Sequence, residues 1–204
     1  MGLQLKELQR TDYKKVIQFA IEGMHFNWYL ENKLLLELYG RYFLYFALSR
    51  ATQILAAYEE ETLAGVLLCE MKGEDKKFHS PARAAYVKVF DFLQNKLFQE
   101  GVGPYDAANR EMLEKYRAGS SPDGEIIFLA ADPKLKAKGV GSMLLRELEE
   151  REKGKEVFLY TDNACTYQFY EHRGFTRAQE KEIVLKLGRR EVALQCFLYT
   201  KVLG

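Results

Sequence analysis

The sequence predicts an α/β fold from three observations. Short runs of alternating or continuous apolar residues, typical of strands, occur near both ends of the chain and in its middle. Segments with apolar residues three and four positions apart, typical of helices, lie between these runs. A glycine-rich turn at residues 136–141 joins a strand-like run to a helix-like segment. Strands and helices in this alternation are typical of a sheet with helices packed on its faces.

The N-terminal part is predicted to contain three strands and two helices. In chain order these are a strand at 3–8, a helix from about 12 to 26, a helix at about 33–49, and strands at 52–58 and 62–71. Thr11 and Asp12 are residues that cap helices, and the acidic residues 59–61 indicate a solvated turn between the last two strands. The strand-like start of the chain does not have the pattern of a secretory signal.

Residues 76–124 form a distinct helical segment. Pro81 begins a predicted helix with apolar residues on one face, residues 101–104 break it, and a second helix follows at about 105–118. Residues 119–124 have the composition of a loop. Extra core cover, a substrate lid and a dimer surface are the alternative roles for this segment.

The C-terminal part continues the alternation of strands and helices. The predicted elements are a strand at 125–131, a helix at 142–150, a strand at 157–163, a helix that starts at Ala164, and an antiparallel hairpin of strands at 175–187 and 191–202. Neither a repeat nor a linker divides the sequence, so residues 1–204 are predicted to be a single domain.

The glycine-rich turn is suited to binding a phosphate. It leaves the first backbone N–H groups of the next helix without partners, and the helix dipole favours negative charge there. Gly139 and Gly141 allow positive φ and close approach of a ligand, while Lys136 and Lys138 add positive charge. Neither a P-loop nor a dinucleotide fingerprint is present, since no Gly-Lys-Ser/Thr follows and residue 144 is Leu. A simple helix cap is the alternative interpretation.

This turn and the segment after it resemble the acetyl-CoA-binding core of the GCN5-related N-acetyltransferases (the GNAT superfamily). The family pattern is Gln/Arg-x-x-Gly-x-Gly/Ala, then a helix, a strand, an Asn, and a Tyr-x-x-x-Gly-Phe ending. The corresponding residues here are Lys136, Gly139, Gly141, Asn163, Tyr170, Gly174 and Phe175. The resemblance covers residues 125–187. Lys136 departs from it, because lysine lacks the planar fork of arginine.

The resemblance implies a GNAT-like fold with acetyl-CoA as cosubstrate. Its sheet would be mixed and mostly antiparallel with flanking helices, its fourth and fifth strands would splay apart around the pantetheine arm, and residues 76–124 would be a helical insertion between the third and fourth strands. The implied cofactor-binding residues are Phe128, Leu129, Ala131, Lys136, Ala137, Lys138, Gly139, Val140, Gly141, Ser142 and Asn163. Phe128 and Leu129 would also be core residues in any α/β fold, and Asn163 would also cap a helix starting at Ala164.

The resemblance also implies that Tyr170 is the catalytic acid. Acyl transfer from a thioester to an amine expels a thiolate, and a positioned acid near that sulfur lowers the barrier. A tyrosine hydroxyl has an ordinary pKa of about 10, close enough to that of a thiol to exchange a proton with it. The alternative is a half-buried aromatic residue whose hydroxyl contacts water.

The general base and the acceptor stay open at this stage. Candidate bases are Glu70, Glu125, Asp162 and His25, each of which is also an ordinary surface group. Aromatic residues at helical spacing indicate core or, alternatively, an apolar acceptor pocket; these are Phe26, Trp28, Tyr29, Tyr39, Tyr42, Phe43 and Tyr45. Glu31 and Glu37 are acids that could receive a cationic amine or remain surface charges.

Composition excludes several other classes. The net charge of +1 in 204 residues gives no electrostatic reason to expect nucleic-acid binding. No apolar run has the length of a membrane span. The three cysteines form no CxxC pair and predict reduced thiols in the cytoplasm. The three histidines are far apart, so no metal site is predicted.

The implied function is therefore an N-acetyltransferase. It would move an acetyl group from acetyl-CoA to a primary amine of a small molecule or peptide, by direct attack in a ternary complex. The alternatives are a catalytically weak CoA-binding sensor and a protein-interaction module in which the glycine turn is structural. A homodimer through the C-terminal hairpin or the insertion is also left open.

Overall fold

A computed structural model describes residues 2–28, 30, 32–78, 80–97, 103–135, 138–187 and 190–204. The strands in these ranges are β1 (Leu3–Lys6), β2 (Gln53–Glu59), β3 (Thr62–Met71), β4 (Gly124–Ala131), β5 (Glu156–Asp162), β6 (Thr176–Leu187) and β7 (Arg190–Val202). The α-helices are α1 (Tyr13–Gly23), α2 (Lys33–Arg50), α3 (Pro81–Leu97), α4 (Gly103–Arg117), α5 (Val140–Arg151) and α6 (Gln168–Glu171). None of these helices is long and apolar enough to cross a membrane.

All the described strands belong to one mixed sheet. Their order is β1-β2-β3-β4-β5-β7-β6, so β7 lies between β5 and β6. Every neighbouring pair is antiparallel except β4 and β5, which are parallel. The predicted fold class, a mostly antiparallel mixed sheet with flanking helices, is confirmed.

The two faces of the sheet carry different helices. On one face, α5 buries Leu144, Leu145 and Leu148 in the largest core cluster. On the other face, α1 and α2 cover β2 to β4 in a second cluster that includes Phe128. A third cluster forms where α4 places Ala108 and other residues over β5 to β7. α2 and α4 therefore stand on the same face, over neighbouring parts of the sheet.

The helical insertion between the third and fourth strands is confirmed as α3 and α4. Arg83 anchors the start of α3, because its guanidinium lies 4.3 Å from the ring centre of Phe78, 5.0 Å from that of Tyr13 and 5.1 Å from that of Tyr45. Such cation–π contacts are strongest where water is excluded. Of the predicted break at 101–104, residues 101 and 102 lie outside the described residues, whereas Gly103 and Pro104 form the first turn of α4, so this helix begins two residues earlier than predicted.

One predicted helix cap is wrong. Asp12 precedes α1, but its carboxylate makes no capping bond. It accepts a hydrogen bond from the Tyr58 hydroxyl at 2.7 Å instead. A tertiary contact thus takes the side chain that local sequence assigns to the helix. The predicted turn between the last two strands includes residues 188 and 189, which lie outside the described residues.

Candidate active site

The fourth and fifth strands separate soon after they begin. Their parallel pairing joins Gly124 to Val157 and Glu125 to Phe158, and it does not extend further along these described strands. β4 pairs with β3 on its other edge, and β5 pairs with β7 through Asp162. The facing edges of 126–131 and 159–162 thus leave backbone N–H and C=O groups open. An extended ligand with amide groups can pair with such edges as a strand does.

The start of α5 has the geometry of an anion site. Gly139 is the N-cap, with φ +83° and no side-chain capping bond. A Cβ on Gly139 would meet nothing within 4 Å, so this side of the turn is open. Val140 begins the helix and is buried, while Lys138 is exposed beside the turn. The open turn therefore combines unsatisfied N–H groups with a nearby positive charge. Lys136 and Ala137 lie outside the described residues.

Gly141 and Ser142 tie this turn to the end of α6. A Cβ on Gly141 would lie 3.0 Å from Cζ of Phe169, so the small residue lets the two helices approach. The Arg173 guanidinium donates to Ser142 Oγ at 2.5 Å and lies 5.6 Å from the Phe169 ring centre. Arg173 therefore holds a positive charge against the first turn of α5.

A small cavity adjoins this contact. It has a volume of about 190 Å³ and is lined by Ser142, Leu145, Arg146, Glu149, Arg173 and Lys201. Lys201 pairs with Glu149 and donates to the Arg173 carbonyl. Three cations thus surround one acid beside the glycine turn of α5. The sequence reasoning missed Arg146, Arg173 and Lys201, because they come from three elements at positions that the family pattern leaves variable.

The predicted residues of β4 present their backbone to the opening. Phe128 is buried against α2, with its ring centre 5.3 Å from that of Phe43. Leu129 packs towards the core on the α5 face, and Ala131 is exposed. Because the two large side chains are used in packing, the strand can contact a ligand through its peptide groups.

The segment after β5 corrects the predicted helix at Ala164. Asp162 Oδ1 accepts from the backbone N–H groups of Ala164 and Cys165, so residues 163–167 are turns before the one-turn helix α6. Asn163 does not cap a helix. Its Oδ1 accepts from Gln195 N at 3.0 Å, and its exposed side chain stands at the end of β5.

Tyr170 lies on α6 in an aromatic environment. Its ring centre is 5.4 Å from that of Phe169, 5.6 Å from that of Phe175 and 6.4 Å from that of Tyr199. Burial, with a smaller contribution from Cys165, raises the pKa of Tyr170 well above its ordinary value. No described residue hydrogen-bonds the hydroxyl. The side chain therefore stays protonated and can donate at neutral pH.

Three of the four candidate bases are already engaged. Arg50 donates to Glu70 at 2.7 Å and to Glu125 at 2.5 Å, so both carboxylates are ion-paired. Asp162 accepts a hydrogen bond from the Tyr105 hydroxyl at 3.1 Å in addition to its two backbone bonds. No cluster of three or more metal-ligating side chains occurs among the described residues.

His25 is the fourth candidate and is oriented differently. Its backbone has φ +54°, which is uncommon for a residue other than glycine. Nε2 lies 3.1 Å from the Ala164 carbonyl oxygen and must donate to it, because a carbonyl only accepts. The ring stacks on Trp28 at 4.4 Å. In the neutral ring Nδ1 is then a hydrogen-bond acceptor, and no described residue donates a hydrogen bond to it.

A family model supports the sequence pattern. The model for the acetyltransferase (GNAT) family matches residues 24–175, which is more than half of the chain. Acetyl-CoA is the cosubstrate of that family. Among curated proteins, none matches this chain significantly in sequence.

Solved structures show the same fold at low sequence identity. PH1933 from Pyrococcus horikoshii OT3 is 15% identical with a TM-score of 0.58, covering 100% of this chain and 99% of that protein. The PaiA N-acetyltransferase of Thermoplasma acidophilum, in complex with coenzyme A, is 16% identical with a TM-score of 0.53 and 99% coverage of both chains. A yellow fever mosquito (Aedes aegypti) protein named arylalkylamine N-acetyltransferase 7 is 11% identical with a TM-score of 0.58, covering 99% of this chain and 88% of that one. At these identities the likeness concerns the fold alone.

Proposed function

The chain belongs to the GNAT family of acetyltransferases, and we propose that it transfers the acetyl group of acetyl-CoA to a primary amine by direct attack in a ternary complex. The observation that carries the proposal is the opening between β4 and β5, which ends at the glycine turn of α5. The opening suits an amide-containing arm, and the turn suits a pyrophosphate. One ligand, acetyl-CoA, has both groups in this order.

The donor site would bind acetyl-CoA mostly through backbone. Phe128, Leu129 and Ala131 would offer peptide groups to pantetheine, and Asn163 would contact it from the end of β5. The pyrophosphate would lie at the α5 turn; the residues assigned to it are Lys136, Ala137, Lys138, Gly139, Val140, Gly141 and Ser142. The cation-lined cavity beside Arg173 would receive the remaining phosphate of the cofactor, because cations next to an anion site extend its attraction to further negative charge.

Tyr170 would act as the general acid. In the reaction the amine nitrogen bonds to the thioester carbonyl carbon, and the C–S bond then breaks. The departing thiolate takes the hydroxyl proton of Tyr170, which leaves CoA with a thiol. The aromatic surroundings of the ring support this role, because they fix the position of the hydroxyl and leave it without a competing partner among the described residues.

His25 would accept the proton that the amine loses. Its Nε2–H is fixed on the Ala164 carbonyl, so the opposite nitrogen is the acceptor. His25 follows α1 on one face of the sheet, whereas Tyr170 packs into the core on the α5 face. Acid and base would thus approach the end of β5 from opposite faces of the sheet.

A CoA-binding sensor without efficient catalysis is the second candidate function. The observation that favours it is the engagement of Glu70, near the end of β3, and Glu125, near the start of β4, by Arg50, which leaves neither of these carboxylates free to act as a base. In that case acetyl-CoA would bind normally, and no amine would be acetylated at a useful rate.

We further propose that residues 1–204 are one domain located in the cytoplasm. All described strands join one sheet, which supports a single unit. The cysteines Cys69, Cys165 and Cys196 are free thiols, as expected in a reducing compartment. A peptide acceptor and a homodimer stay predictions.

The test of the proposed function is an acetylation assay with a panel of amines. Release of CoA thiol is measured with the wild type and with His25→Gln, which removes the base and retains a hydrogen-bond donor to Ala164. Turnover by the wild type that falls about tenfold or more in the variant, with recovery at high pH where the amine is neutral, supports the mechanism. Tight acetyl-CoA binding without turnover of any amine favours the sensor.

A further inference from the structure

A second site can be argued on the face of the sheet opposite α5. There α2 packs on α1 and α3, whereas α4 packs on β6 and β7. The two helices cover separate core clusters, and the start of the β4–β5 opening lies between those clusters. We call the space between them the α2–α4 cleft, with Tyr39 and Tyr42 on α2, Asp106 and Asn109 on α4, and Tyr160 on β5.

Polar groups in the α2–α4 cleft lack partners. Asp106 makes neither a hydrogen bond nor an ion pair with any described residue, and the Oδ1 atom of Asn109 is buried without a hydrogen-bond partner. The hydroxyls of Tyr39 and Tyr160 also have no hydrogen-bond partner in the described part of the chain. A buried acceptor without a partner destabilises the fold unless a ligand or water satisfies it. The Asn109 oxygen is buried in this way, and the accessible polar groups beside it offer a ligand further partners.

The Asp106 carboxylate acts electrostatically on two tyrosines of α2. Burial raises the pKa of Tyr39, and Asp106 raises it further. For the pKa of Tyr42 burial comes first, then Asp91, which accepts a hydrogen bond from its hydroxyl at 2.5 Å, and Asp106 adds a smaller contribution. Burial likewise raises the pKa of Asp106 itself, which Arg110 opposes, although its side chain is exposed to solvent.

Helix geometry directs Asn109 towards the same space. It follows Asp106 by three residues, so the two side chains are neighbours on α4. The side of α4 that faces β6 carries Glu111, which pairs with Lys181. Asp106 and Asn109 are on the flank away from that pair, which is the flank towards α2.

The opposite wall of the cleft is aromatic. Tyr42 stacks on Phe90 with ring centres 4.6 Å apart, and Tyr39 lies 6.0 Å from Phe90 and 4.7 Å from Phe26. A neighbouring ring, Phe43, continues to Phe128 on β4. Aromatic faces bind a ligand ring by stacking and attract a nearby ammonium group.

The cleft also reaches the reaction centre. Tyr105, the residue before Asp106, donates its hydroxyl to Asp162 Oδ2 at 3.1 Å. Asp162 ends β5 at the mouth of the β4–β5 opening. The inserted helix α4 is therefore fixed to the donor site, with Asp106 one residue away from the point of attachment.

We propose that the α2–α4 cleft binds the acceptor, that this acceptor is a primary amine carrying an aromatic ring, and that Asp106 and Asn109 receive its amine N–H groups. The proposal rests on the acetyltransferase function proposed above. The ring would lie on Tyr39, Tyr42 and Phe90, and the amine would stand between α4 and the thioester. The helical insertion then supplies the acceptor specificity of the enzyme.

The test is the steady-state kinetics of the full chain with 2-phenylethylamine at saturating acetyl-CoA. Asp106→Asn removes the negative charge and one acceptor oxygen, and Asn109→Leu removes the buried amide oxygen. Glu114→Gln is the control, because it makes the same charge change on an exposed part of α4. We expect Asp106→Asn to raise KM about tenfold or more, and Asn109→Leu to raise it about threefold to tenfold. The Tm of Asn109→Leu should not fall, since a buried unpaired oxygen is removed. The control should stay within about twofold.

The outcomes separate the two proposals. If the wild type acetylates 2-phenylethylamine and all three variants share its KM, the acceptor site is wrong and the acetyltransferase function stands. If spermidine is acetylated with a higher kcat/KM than 2-phenylethylamine, the aromatic class is wrong. If acetyl-CoA binds and no amine turns over, calorimetric binding of 2-phenylethylamine to the CoA complex decides: binding weakened by Asp106→Asn supports the site, and absence of binding overturns it. If acetyl-CoA itself does not bind, both proposals fail.

Discussion

The two sides of the β4–β5 opening are built in different ways. The proposed donor side consists of β4, α5, β5 and α6, which follow one another along the chain and present mainly backbone groups. The proposed acceptor side combines side chains of α2, α3 and α4, which are far apart in sequence. The donor side needs glycines and strand geometry, whereas the acceptor side needs particular side chains at particular places.

Because of this difference, amino-acid substitutions are expected to affect ligand binding differently on the two sides. Backbone N–H groups bind a phosphate whatever the neighbouring side chains are, so the proposed donor side would tolerate a lysine at position 136 where the family pattern has glutamine or arginine. A side-chain pocket changes its ligand whenever one residue changes. Substrate specificity is therefore expected to reside in the acceptor side, and cofactor choice in the donor side.

The largest expected effect is on the rate of acyl transfer, at the place where the donor and acceptor sides meet. Tyr170→Phe should lower kcat at least about tenfold while leaving the acetyl-CoA Kd unchanged, because only the proton donor is removed. The control is Tyr167→Phe, which deletes a hydroxyl in the same segment and should leave kcat within about twofold. Unchanged turnover of Tyr170→Phe with several amines would contradict the general-acid role.

The next effect is on the stability of the acceptor side. Arg50→Met should lower the free energy of unfolding by about 2–3 kcal/mol, because it leaves the carboxylates of Glu70 and Glu125 together without a cation. Denaturant unfolding measures it. Arg41→Met on the same helix breaks only the exposed pair with Glu37 and should cost less than about 1 kcal/mol. Equal losses of unfolding free energy in the two variants would show that the Arg50 ion pairs stabilise the fold no more than the exposed pair of Arg41 with Glu37.

A smaller effect is expected on acetyl-CoA affinity, and it tests where the phosphates bind on the donor side. Arg173→Met should weaken acetyl-CoA binding about threefold to tenfold, since one charge-assisted contact is lost near the phosphates. The loss should shrink for dephospho-CoA, which lacks the 3′-phosphate. Arg151→Met, on the far end of α5 and paired with Glu147, is the control and should bind like the wild type. A loss of the same size for both ligands would place the 3′-phosphate elsewhere.

The smallest effect concerns acid stability near the donor loop. Burial acts to raise the pKa of Asp132, but Lys15 at 2.7 Å and the backbone N–H of Lys134 outweigh it and hold that pKa below its usual value. A lowered pKa means that Asp132 stabilises the fold above about pH 4 and loses this contribution as pH falls through the folded value. Lys15→Met should therefore flatten the fall in stability between about pH 5 and pH 3, measured by Tm. Parallel curves for the two proteins would contradict this.

The sequence predicted the strand, turn and helix at the start of α5 well, because their determinants are local. Gly139 and Gly141 stand in a fixed order between a strand and a helix, and their conformations follow from that order. The same local reasoning was wrong at Asp12 and Asn163. At the first, a tertiary hydroxyl takes the carboxylate; at the second, the preceding Asp162 supplies the turn bonds.

The acceptor side could not be predicted, for a physical reason. Asp106 and Asn109 are ordinary polar residues on an amphipathic helix, and nothing in their spacing distinguishes them from a solvated face. They become significant only when α4 is placed on β6 and β7 with α2 across from it. Tyr39 and Tyr42 at helical spacing indicate an aromatic acceptor pocket as one alternative, but the polar residues proposed for it come together only in the fold.

The most direct test of the account is calorimetric titration of the protein with acetyl-CoA, using Gly139→Glu and Gly154→Glu. Both glycines have φ +83° and open space around an added Cβ, so the two substitutions impose the same backbone strain at opposite ends of α5. The account predicts that the wild type and Gly154→Glu bind acetyl-CoA, and that Gly139→Glu does not. Absence of binding by the folded wild type, or equal binding by both variants, would contradict it and leave the glycine turn as a helix cap.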